Sequence, residues 1–536
     1  MLPRNFMKEQ NAIAQWTDTL GSDNIVTEES VLEIKATATY STSNRIYAVL
    51  KPKNVEQVQE CVKIANENQV AIYPISSGKN WGYGSKVPTA NGCALMELSG
   101  MNNIFDLNEE LGYVTIEAGV TQRQLYQFLQ EQKSQLWLDC NASCVDSTLV
   151  GNTMERGFGH TPYGDHFAHI CGLEVVLPTG EIIHTGFGKF ANAKASPVYR
   201  WGLGPYLDGL FTQSNLGIVT KMTVWLMPQP EYFEAFFFSI AEESQLEPLI
   251  DALRPLRLDG TIKSAVHIGN NYKVLCALTQ YPWEESQGKT PLPDEVLNKF
   301  TQEWDIGAWN GSGGIYGTRR QVAEAKRLIR NALKGKVKRL QFLNDNTIKL
   351  ADGIAKPWQN LTGSHLPELL NLMHPVYGLM KGVPTNTQLA STYWRKKTPV
   401  PKNPDPDRDG CGLIWCAPVA PLGGKYAQEI NQIVRETLLK YGFEPQQSMT
   451  LLTERVLDCI ITIGYDRDVE GEDQKALDCY QELMDKLNDA GYYPYRLGIH
   501  SMNTMKKGEE SYNQLLRNLK IALDPNNIIS PKRYIV

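Results

Sequence analysis

The sequence predicts an α+β protein of two main parts, and three observations support this prediction. The chain has 536 residues, more than one hydrophobic core usually accommodates. Residues 1–229 alternate short apolar strands with helical patterns and contain three glycine-rich loops. After the prolines at 228–230, strands alternate with amphipathic helices, which is typical of an antiparallel sheet covered by helices on one face. We therefore expect one domain at 1–229 and a second at 230–489.

The first part should begin with a β-α-β unit. Its helix carries Val55, Val58, Cys61 and Val62 on one face, and Thr121 is the expected N-cap of a later helix. A Pro-Thr-Gly turn at 178–180 predicts a hairpin. We expect strands at 47–50, 70–75, 93–98, 113–117, 172–177, 181–184 and 222–227, and helices at 11–20, 55–66 and from Thr121 onward.

The second part follows the same periodicity arguments. Two proline-rich loops, at 291–293 and 399–406, interrupt it. We expect strands at 235–240, 265–268, 273–278 and 492–497, and helices at 246–256, 321–333, 425–441, 474–490 and 511–522.

Composition limits the function classes. A net charge of −6 and the absence of basic runs argue against nucleic acid or an anionic membrane surface as the main partner. The N-terminal residues lack the apolar segment of a signal peptide, and no stretch of about 18 apolar residues predicts a membrane span. The ten cysteines form no CxxC pair, so we expect reduced thiols and a cytoplasmic protein. No group of residues has metal-ligand spacing.

Residues 74–84, PISSGKNWGYG, directly follow an apolar strand. Gly78, Gly82 and Gly84 can adopt positive φ and leave backbone N–H groups exposed. Successive exposed N–H groups form a concave anion site that suits a diphosphate. The pattern is neither a Walker A loop nor a GxGxxG dinucleotide motif. It therefore indicates a diphosphate loop of another kind, or a purely structural turn.

Two further motifs occur downstream, GNTMERGFGHTPYGDH at 151–166 and GLFTQSNLGIVTK at 209–221. Together with 76–84, they resemble the flavoprotein family of vanillyl-alcohol oxidase and 4-cresol dehydrogenase. The segment ALDPNNIISP at 522–531 is also similar to that family. The resemblance covers nearly the whole chain, and it replaces the structural-turn interpretation of the glycines.

The resemblance implies an FAD-binding domain of the p-cresol methylhydroxylase (PCMH) type at 1–229. Residues 230–489 would form a cap over the substrate, and 490–536 would return to the first domain. The residues expected along FAD are Pro74, Ser76, Ser77, Gly78, Lys79, Asn80, Trp81, Gly82, Gly151, Asn152, Gly159, His160, Thr161, Tyr163, Gly217, Ile218 and Val219.

The family oxidises para-substituted phenols. Hydride leaves the benzylic carbon for flavin N5 after the phenol has ionised, so that a quinone methide can form. A phenol is uncharged near pH 7 and needs strong donors to become a phenolate. Two tyrosine hydroxyls and an arginine would supply them. Tyr83, Tyr495 and Arg496 occupy the matching positions, so the resemblance implies that they are the catalytic set.

The chain departs from the family where flavin is attached covalently. In the strand at 411–418, Leu413 occupies the position of the linking histidine, and Asn80 stands where more distant flavoproteins carry another. Tyr393 and Cys411 are the remaining candidates for a covalent link. We expect FAD to be dissociable.

A second departure concerns acidic and basic groups. Where vanillyl-alcohol oxidase has its catalytic aspartate, this chain has Asn141, Ala142 or Ser143, with Asp139 close by. A third departure lies in the cap at 450–458, where the family carries a histidine pair. The polar residues here either meet the substrate or form a surface ion pair; they are Glu454, Arg455 and Asp458.

We therefore expect an FAD-dependent oxidoreductase acting on a 4-hydroxybenzyl-type alcohol or alkylphenol. One alternative is an oxidase or dehydrogenase of a non-phenolic alcohol or hydroxy acid on the same fold. Another is a non-catalytic flavin-binding electron-transfer protein. The electron acceptor is left open among O₂, a cytochrome and a quinone, and family practice suggests a homodimer.

Overall fold

The computed structural model describes residues 4–362 and 366–535 and has the expected α+β fold. The strands of the first part are β1 (Ile25–Val26), β2 (Ile46–Leu50), β3 (Ala71–Ile75), β4 (Cys93–Glu97), β5 (Ile104–Asn108), β6 (Tyr113–Glu117), β7 (Leu136–Trp137), β8 (Ile170–Val176), β9 (Ile182–His184), β10 (Ile218–Trp225) and β11 (Met227–Pro228). Its helices are α1 (Arg4–Leu20), α2 (Glu29–Lys35), α3 (Val55–Asn68), α4 (Gln122–Glu131) and α5 (Leu149–Met154).

The remaining elements follow in chain order. The strands are β12 (Tyr232–Ile240), β13 (Val266–Asn270), β14 (Trp309–Gly317), β15 (Arg339–Leu343), β16 (Cys411–Cys416), β17 (Val419–Pro421), β18 (Gln446–Leu451) and β19 (Val456–Asp466). The helices are α6 (Leu246–Leu258), α7 (Asn271–Leu278), α8 (Asp294–Glu303), α9 (Arg319–Leu333), α10 (Asp345–Thr362), α11 (Leu366–Leu379), α12 (Gly424–Lys440), α13 (Glu472–Asp489) and α14 (Glu510–Leu523).

Two sheets share one core in the first part. The smaller has strand order β1-β2-β4-β3, with β2, β4 and β3 parallel, and the larger has the order β5-β6-β10-β8-β9. Helix α3 begins at the cap Asn54, whose side chain accepts the Gln57 N–H, and it buries Val58 and Cys61 in this core. Thr121 caps α4 through a complete capping box with Gln124. The β-α-β unit, this cap and the hairpin of β8 and β9 confirm the local predictions.

The second part contains an eight-stranded sheet in which the paired strands run antiparallel. Helices α6, α9, α12 and α13 pack on one face, as predicted, and a single apolar cluster joins them to the sheet. Because side chains alternate along a strand, the other face carries a different set of residues. That second face turns toward the glycine loops. Its central strands β13, β14 and β18 carry polar side chains, which form what we call the polar face: His267, Ser312, Ser448 and Thr450. β16 adds the apolar residues Leu413 and Trp415.

The end of the chain pairs with the first part. The Ile72 N–H donates to the Ile528 carbonyl at 2.7 Å, and the Ser530 N–H donates to the Ile72 carbonyl at 2.9 Å. The buried Lys520 ammonium donates to the Asn215 carbonyl at 2.7 Å and to the Asp524 carboxylate. Residues 528–530 therefore pair with the free edge of β3 at Ile72.

Two predicted strands are wrong. Residues 273–278 belong to α7, because the Asn270 side chain accepts the Lys273 N–H at 3.0 Å and starts a helix directly after β13. Residues 492–497 form only an isolated bridge between Pro494 and Pro418, since a proline has no N–H to donate to a ladder.

None of the helices in the described part of the chain combines the length and apolarity needed to span a bilayer.

Candidate active site

A cavity of about 530 Å³ lies between the glycine loops and the polar face of the large sheet. This volume is in the range of cofactor and substrate pockets. The walls contain most of the residues expected along FAD, namely Pro74, Ser76, Ser77, Gly78, Lys79, Asn80, Trp81, Gly151, Asn152, His160, Gly217, Ile218 and Val219. The predicted catalytic residues line the same cavity, namely Tyr83, Tyr495 and Arg496.

The loop after β3 has the backbone that its glycines predict. Gly78, Gly82 and Gly84 have φ of +70°, +75° and +112°. A Cβ on Gly82 would lie 3.0 Å from the Trp415 ring, and the Trp415 N–H donates to the Gly82 carbonyl at 3.1 Å. Gly82 therefore holds the loop against β16 and does not line the cavity, which differs from its expected place along FAD.

Three residues of the second glycine zone also lie outside the cavity wall. Gly159 packs so closely on Asp139 that a Cβ would collide with its carboxylate. The Thr161 N–H donates to the same carboxylate at 2.7 Å, and Tyr163 stacks on His169 at 4.2 Å. These residues shape the loop from behind the wall, and their contact with the cofactor stays a prediction.

Asp139 organises this zone. Its Oδ1 lies 2.8 Å from His166 Nε2 and accepts the His160 N–H at 3.2 Å. Although burial opposes ionisation, the hydrogen bond from His166 lowers the pKa of Asp139. Asp139 is thus a structural carboxylate behind the wall. The wall itself carries neutral groups here, since Asn141, Ala142 and Ser143 line it.

The third motif meets the cavity through the start of β10. Gly217 packs against the neighbouring strand, and a Cβ there would lie 2.7 Å from Val175 Cγ1. Only glycine fits this approach without displacing β8. Ile218 and Val219 continue the same wall as buried residues.

Tyr83, Tyr495 and Arg496 converge at one end of the cavity. The Arg496 guanidinium carbon lies 4.4 Å from the Tyr83 ring centroid. The Tyr83 hydroxyl is buried and has no hydrogen-bond partner among the described residues, an arrangement that is rare unless a ligand completes it. Burial, with a contribution from Tyr495, raises the pKa of Tyr83 far above that of a free phenol. Burial also raises the pKa of Tyr495, although Arg496 opposes the shift.

A buried network holds Arg496 in place. Its guanidinium donates to Asn80 and lies 3.5 Å from the Glu155 carboxylate. Glu155 also pairs with Arg533 and accepts the Tyr534 hydroxyl at 2.6 Å. Burial opposes ionisation of Glu155, but Arg533 and then Arg496 lower its pKa. This network could not be predicted from the sequence, because Asn80, Glu155 and the C-terminal arginines lie far apart along the chain.

The candidates for covalent attachment do not face the cavity. Tyr393 donates its hydroxyl to Asp409 at 2.6 Å, and burial raises the pKa of the Cys411 thiol to about 12. Neither residue is among those that line the wall, whereas Leu413 and Trp415 of β16 are. Leu413, which is expected at the position of the family's linking histidine, therefore lines the cavity with an apolar side chain.

The cap residues singled out in the sequence separate in the structure. Glu454 and Arg455 lie in the turn between β18 and β19, with side chains 56% and 78% exposed, so they make a surface ion pair. Asp458 is a buried residue of β19, and it pairs with Thr450 of β18, which lines the cavity. Burial, and the nearby Asp165, raise the pKa of Asp458 to about 7.

His267 is the histidine that the cap contributes to the cavity wall. Burial lowers the pKa of His267 well below its usual value, so this ring stays neutral.

Comparisons with known proteins agree with this geometry. A family model described as an FAD binding domain matches residues 46–186. The chain is 44% identical to 1'-carboxy-chondrochloren decarboxylase of Chondromyces crocatus, over 98% of this chain and 97% of that protein. It is 33% identical to the 4-cresol dehydrogenase [hydroxylating] flavoprotein subunit of Pseudomonas putida, over 97% and 94% of the two chains. The crystal structure of p-cresol methylhydroxylase with substrate bound superposes with a TM-score of 0.88 at 30% identity, covering 99% of this chain and 97% of that one.

Proposed function

Because the chain belongs to the PCMH-type family of FAD-dependent flavoprotein enzymes, we propose that it removes a hydride from the benzylic position of a para-substituted phenol. One observation carries this proposal. The Tyr83 hydroxyl is buried in the cavity wall without a partner, beside Arg496. A phenol oxygen placed there would accept from Tyr83 and Tyr495 and would lie next to a fixed positive charge.

The cavity fits FAD at the other end. The loop 76–81 would hold the diphosphate, and Gly151, Asn152 and the start of β10 would lie along the rest of the cofactor. Bound FAD supplies the hydride acceptor. We propose that it is held without a covalent bond, since Tyr393 and Cys411 do not line the wall. Acid precipitation tests this: the flavin should stay in the supernatant, and yellow protein in the pellet would contradict it.

Side chains of the protein bind the substrate oxygen and stabilise its charge. Tyr83 and Tyr495 keep their protons near neutral pH because burial raises both pKa values, so they donate to the substrate oxygen. The phenol releases its proton to solvent as it binds, and Arg496 stabilises the phenolate that forms. Removal of the hydride then leaves an electron-poor quinone methide, whose oxygen the same three groups hold in place.

A second candidate reaction is oxidative decarboxylation. A relative of 44% identity is named a decarboxylase. Glu155 is the one carboxylate among the described residues that line the cavity, and two arginines and a tyrosine already engage it. No free carboxylate among the described residues therefore lines the cavity to activate water against a quinone methide. If the substrate carries a carboxylate on the neighbouring carbon, loss of CO₂ leaves the bonding pair to form the C=C bond, and the ring returns to a phenolate.

Anaerobic mixing of the holoenzyme with matched substrates tests these proposals. We expect 4-ethylphenol or 3-(4-hydroxyphenyl)propionate to bleach the flavin, while their O-methyl ethers leave it oxidised. Release of CO₂ and 4-vinylphenol from the second substrate would support decarboxylation, and a hydroxylated product would support simple oxidation. Bleaching by the methyl ethers, or by hydroxy acids alone, would contradict the phenolate proposal.

We also propose that a small aromatic molecule is the substrate and that the protein forms a homodimer. Light scattering of the purified holoenzyme tests the oligomeric state. To identify the electron acceptor, the reduced enzyme is mixed separately with air, a cytochrome or a quinone. The acceptor is the one that restores the absorbance of oxidised flavin.

A further inference from the structure

The polar face of the large sheet forms the floor of the cavity. Along β13, Val266 and Ile268 point into the helix-covered core, so His267 and Gly269 point into the cavity. Strand pairing places other residues opposite them on the same face. The partners of His267 and Gly269 all line the cavity, and they are Ser312, Thr450, Asn310 and Ser448.

One cation stands over this neutral floor. Lys273 lies in the first turn of α7, immediately after β13, and its stem covers Gly269: a Cβ on Gly269 would lie 3.4 Å from Lys273 Cγ. Lys273 is the one charged side chain that described residues of 230–489 contribute to the cavity wall. Within the described part of the chain, its ammonium makes no ion pair or hydrogen bond.

Lys273 is linked to the proposed phenol site through β13, the strand that precedes it. The Phe158 ring lies 5.9 Å from Tyr495 and 6.2 Å from His267, and Gly269 is two residues, or about 7 Å, further along the strand.

We propose that Lys273 binds an anionic group, a carboxylate, on the para substituent of the substrate. The substrates would then be phenolic acids, with the phenol oxygen at Tyr83 and Arg496 and the carboxylate at Lys273. Ser448, opposite Gly269 on β18, lies in position to add a hydroxyl donor. An unpaired ammonium in a confined cavity attracts an anion strongly, since the effective dielectric constant there is below that of water. This inference rests on the proposed function for the orientation of the substrate.

The test compares an acid with its uncharged ester in the holoenzyme. Binding of 3-phenylpropionate and of its methyl ester is followed through the flavin spectrum, since neither carries a phenol and neither reacts by the proposed route. We expect Lys273→Met to weaken binding of the acid at least tenfold and to leave the ester unchanged. Lys273→Arg should restore most of the loss. Lys299→Met, which removes an exposed lysine on α8, is the matched control.

The same variants are then mixed anaerobically with 3-(4-hydroxyphenyl)propionate and its methyl ester. The apparent Kd for flavin reduction should rise in Lys273→Met for the acid only, with the limiting rate of reduction kept. Equal losses for acid and ester, or no wild-type preference for the acid, would overturn the assignment of Lys273. If neither phenol reduces the flavin while 3-phenylpropionate still binds through Lys273, the proposed reaction fails and the anion site stands.

Discussion

At the scale of single residues, the unpartnered hydroxyl of Tyr83 is the most informative feature of the cavity. A buried donor without an acceptor destabilises the protein unless a ligand supplies one. Tyr83→Phe keeps the ring that packs on Trp415 at 5.6 Å and removes only the hydroxyl. The variant should fold and bind FAD normally.

We expect Tyr83→Phe to slow flavin reduction by a phenol about 10²-fold, since one donor to the developing oxyanion is lost. Stopped-flow absorbance measures this rate. Tyr163→Phe, which alters a tyrosine outside the cavity wall, is the matched control. An unchanged rate in Tyr83→Phe would remove this residue from the phenolate site.

Asp458 predicts a dependence of stability on pH. Its pKa in the folded protein is about 7 because of burial, whereas an aspartate in the unfolded chain has a pKa near 3.9. The folded state therefore binds the proton more tightly, and stability falls as pH rises between about 4 and 7. Asp458→Asn should remove this penalty and stabilise the protein at pH 8 by a few kcal/mol, with little effect at pH 4. Urea unfolding at the two pH values measures the difference, and equal effects at both would show that the carboxyl does not titrate as inferred.

At the scale of elements, the glycine loop after β3 lines the cavity and also packs against a distant segment of the chain. Gly84 has φ of +112° and packs against Ile499, where a Cβ would lie 2.7 Å from Cγ1. Gly84→Ala should therefore cost about 1–3 kcal/mol of stability and weaken FAD retention. Thermal unfolding and flavin content after gel filtration measure both effects.

The second variant in this test separates the two causes. Gly84→Ala combined with Ile499→Ala removes the steric contact but keeps the backbone strain. Partial recovery is expected relative to Gly84→Ala alone, and a Gly84→Ala protein as stable as wild type would contradict the packing argument.

Local sequence patterns predicted those elements whose conformation depends mainly on neighbouring residues. These are the β2-α3-β3 unit, the Thr121 cap and the hairpin of β8 and β9. The region 273–278 reads equally as strand or helix by apolar spacing. The cap at Asn270 decides for a helix, and that cap also places Lys273 over the cavity floor.

At the scale of the whole molecule, the site depends on contacts between distant parts of the chain. The motifs predicted which residues meet in one cavity, through resemblance to a family. They did not predict the pairing of Glu155 with Arg533, 378 positions apart, because a single sequence contains no signal for contacts of that separation. Strand β14 was not predicted either, because the glycines and the serine in it are uncommon in strands.

This long-range network makes a prediction about Arg533. Its guanidinium pairs with Glu155 and donates to the Tyr73 hydroxyl at 2.7 Å. Arg533→Met should leave Glu155 to draw Arg496 away from the phenol oxygen, so phenol-driven flavin reduction should fall about tenfold or more. Arg533→Lys should recover part of the rate.

The readout is the apparent pKa for phenol ionisation in the bound state. It should rise in Arg533→Met if Arg496 has moved, whereas a general loss of stability would lower the amount of active enzyme without shifting that pKa. A variant with wild-type rate and pH profile would show that the network plays no part in positioning Arg496.

The pairing of residues 528–530 with Ile72 also has a consequence for folding. These two segments are widely separated in sequence, so the edge of β3 is completed only when a long intervening stretch of chain has closed into a loop. Ile529, Ser530 and Arg533 also line the cavity, so the wall is whole only after this closure. We therefore expect the cavity to form late in folding, after the local β2-α3-β3 unit.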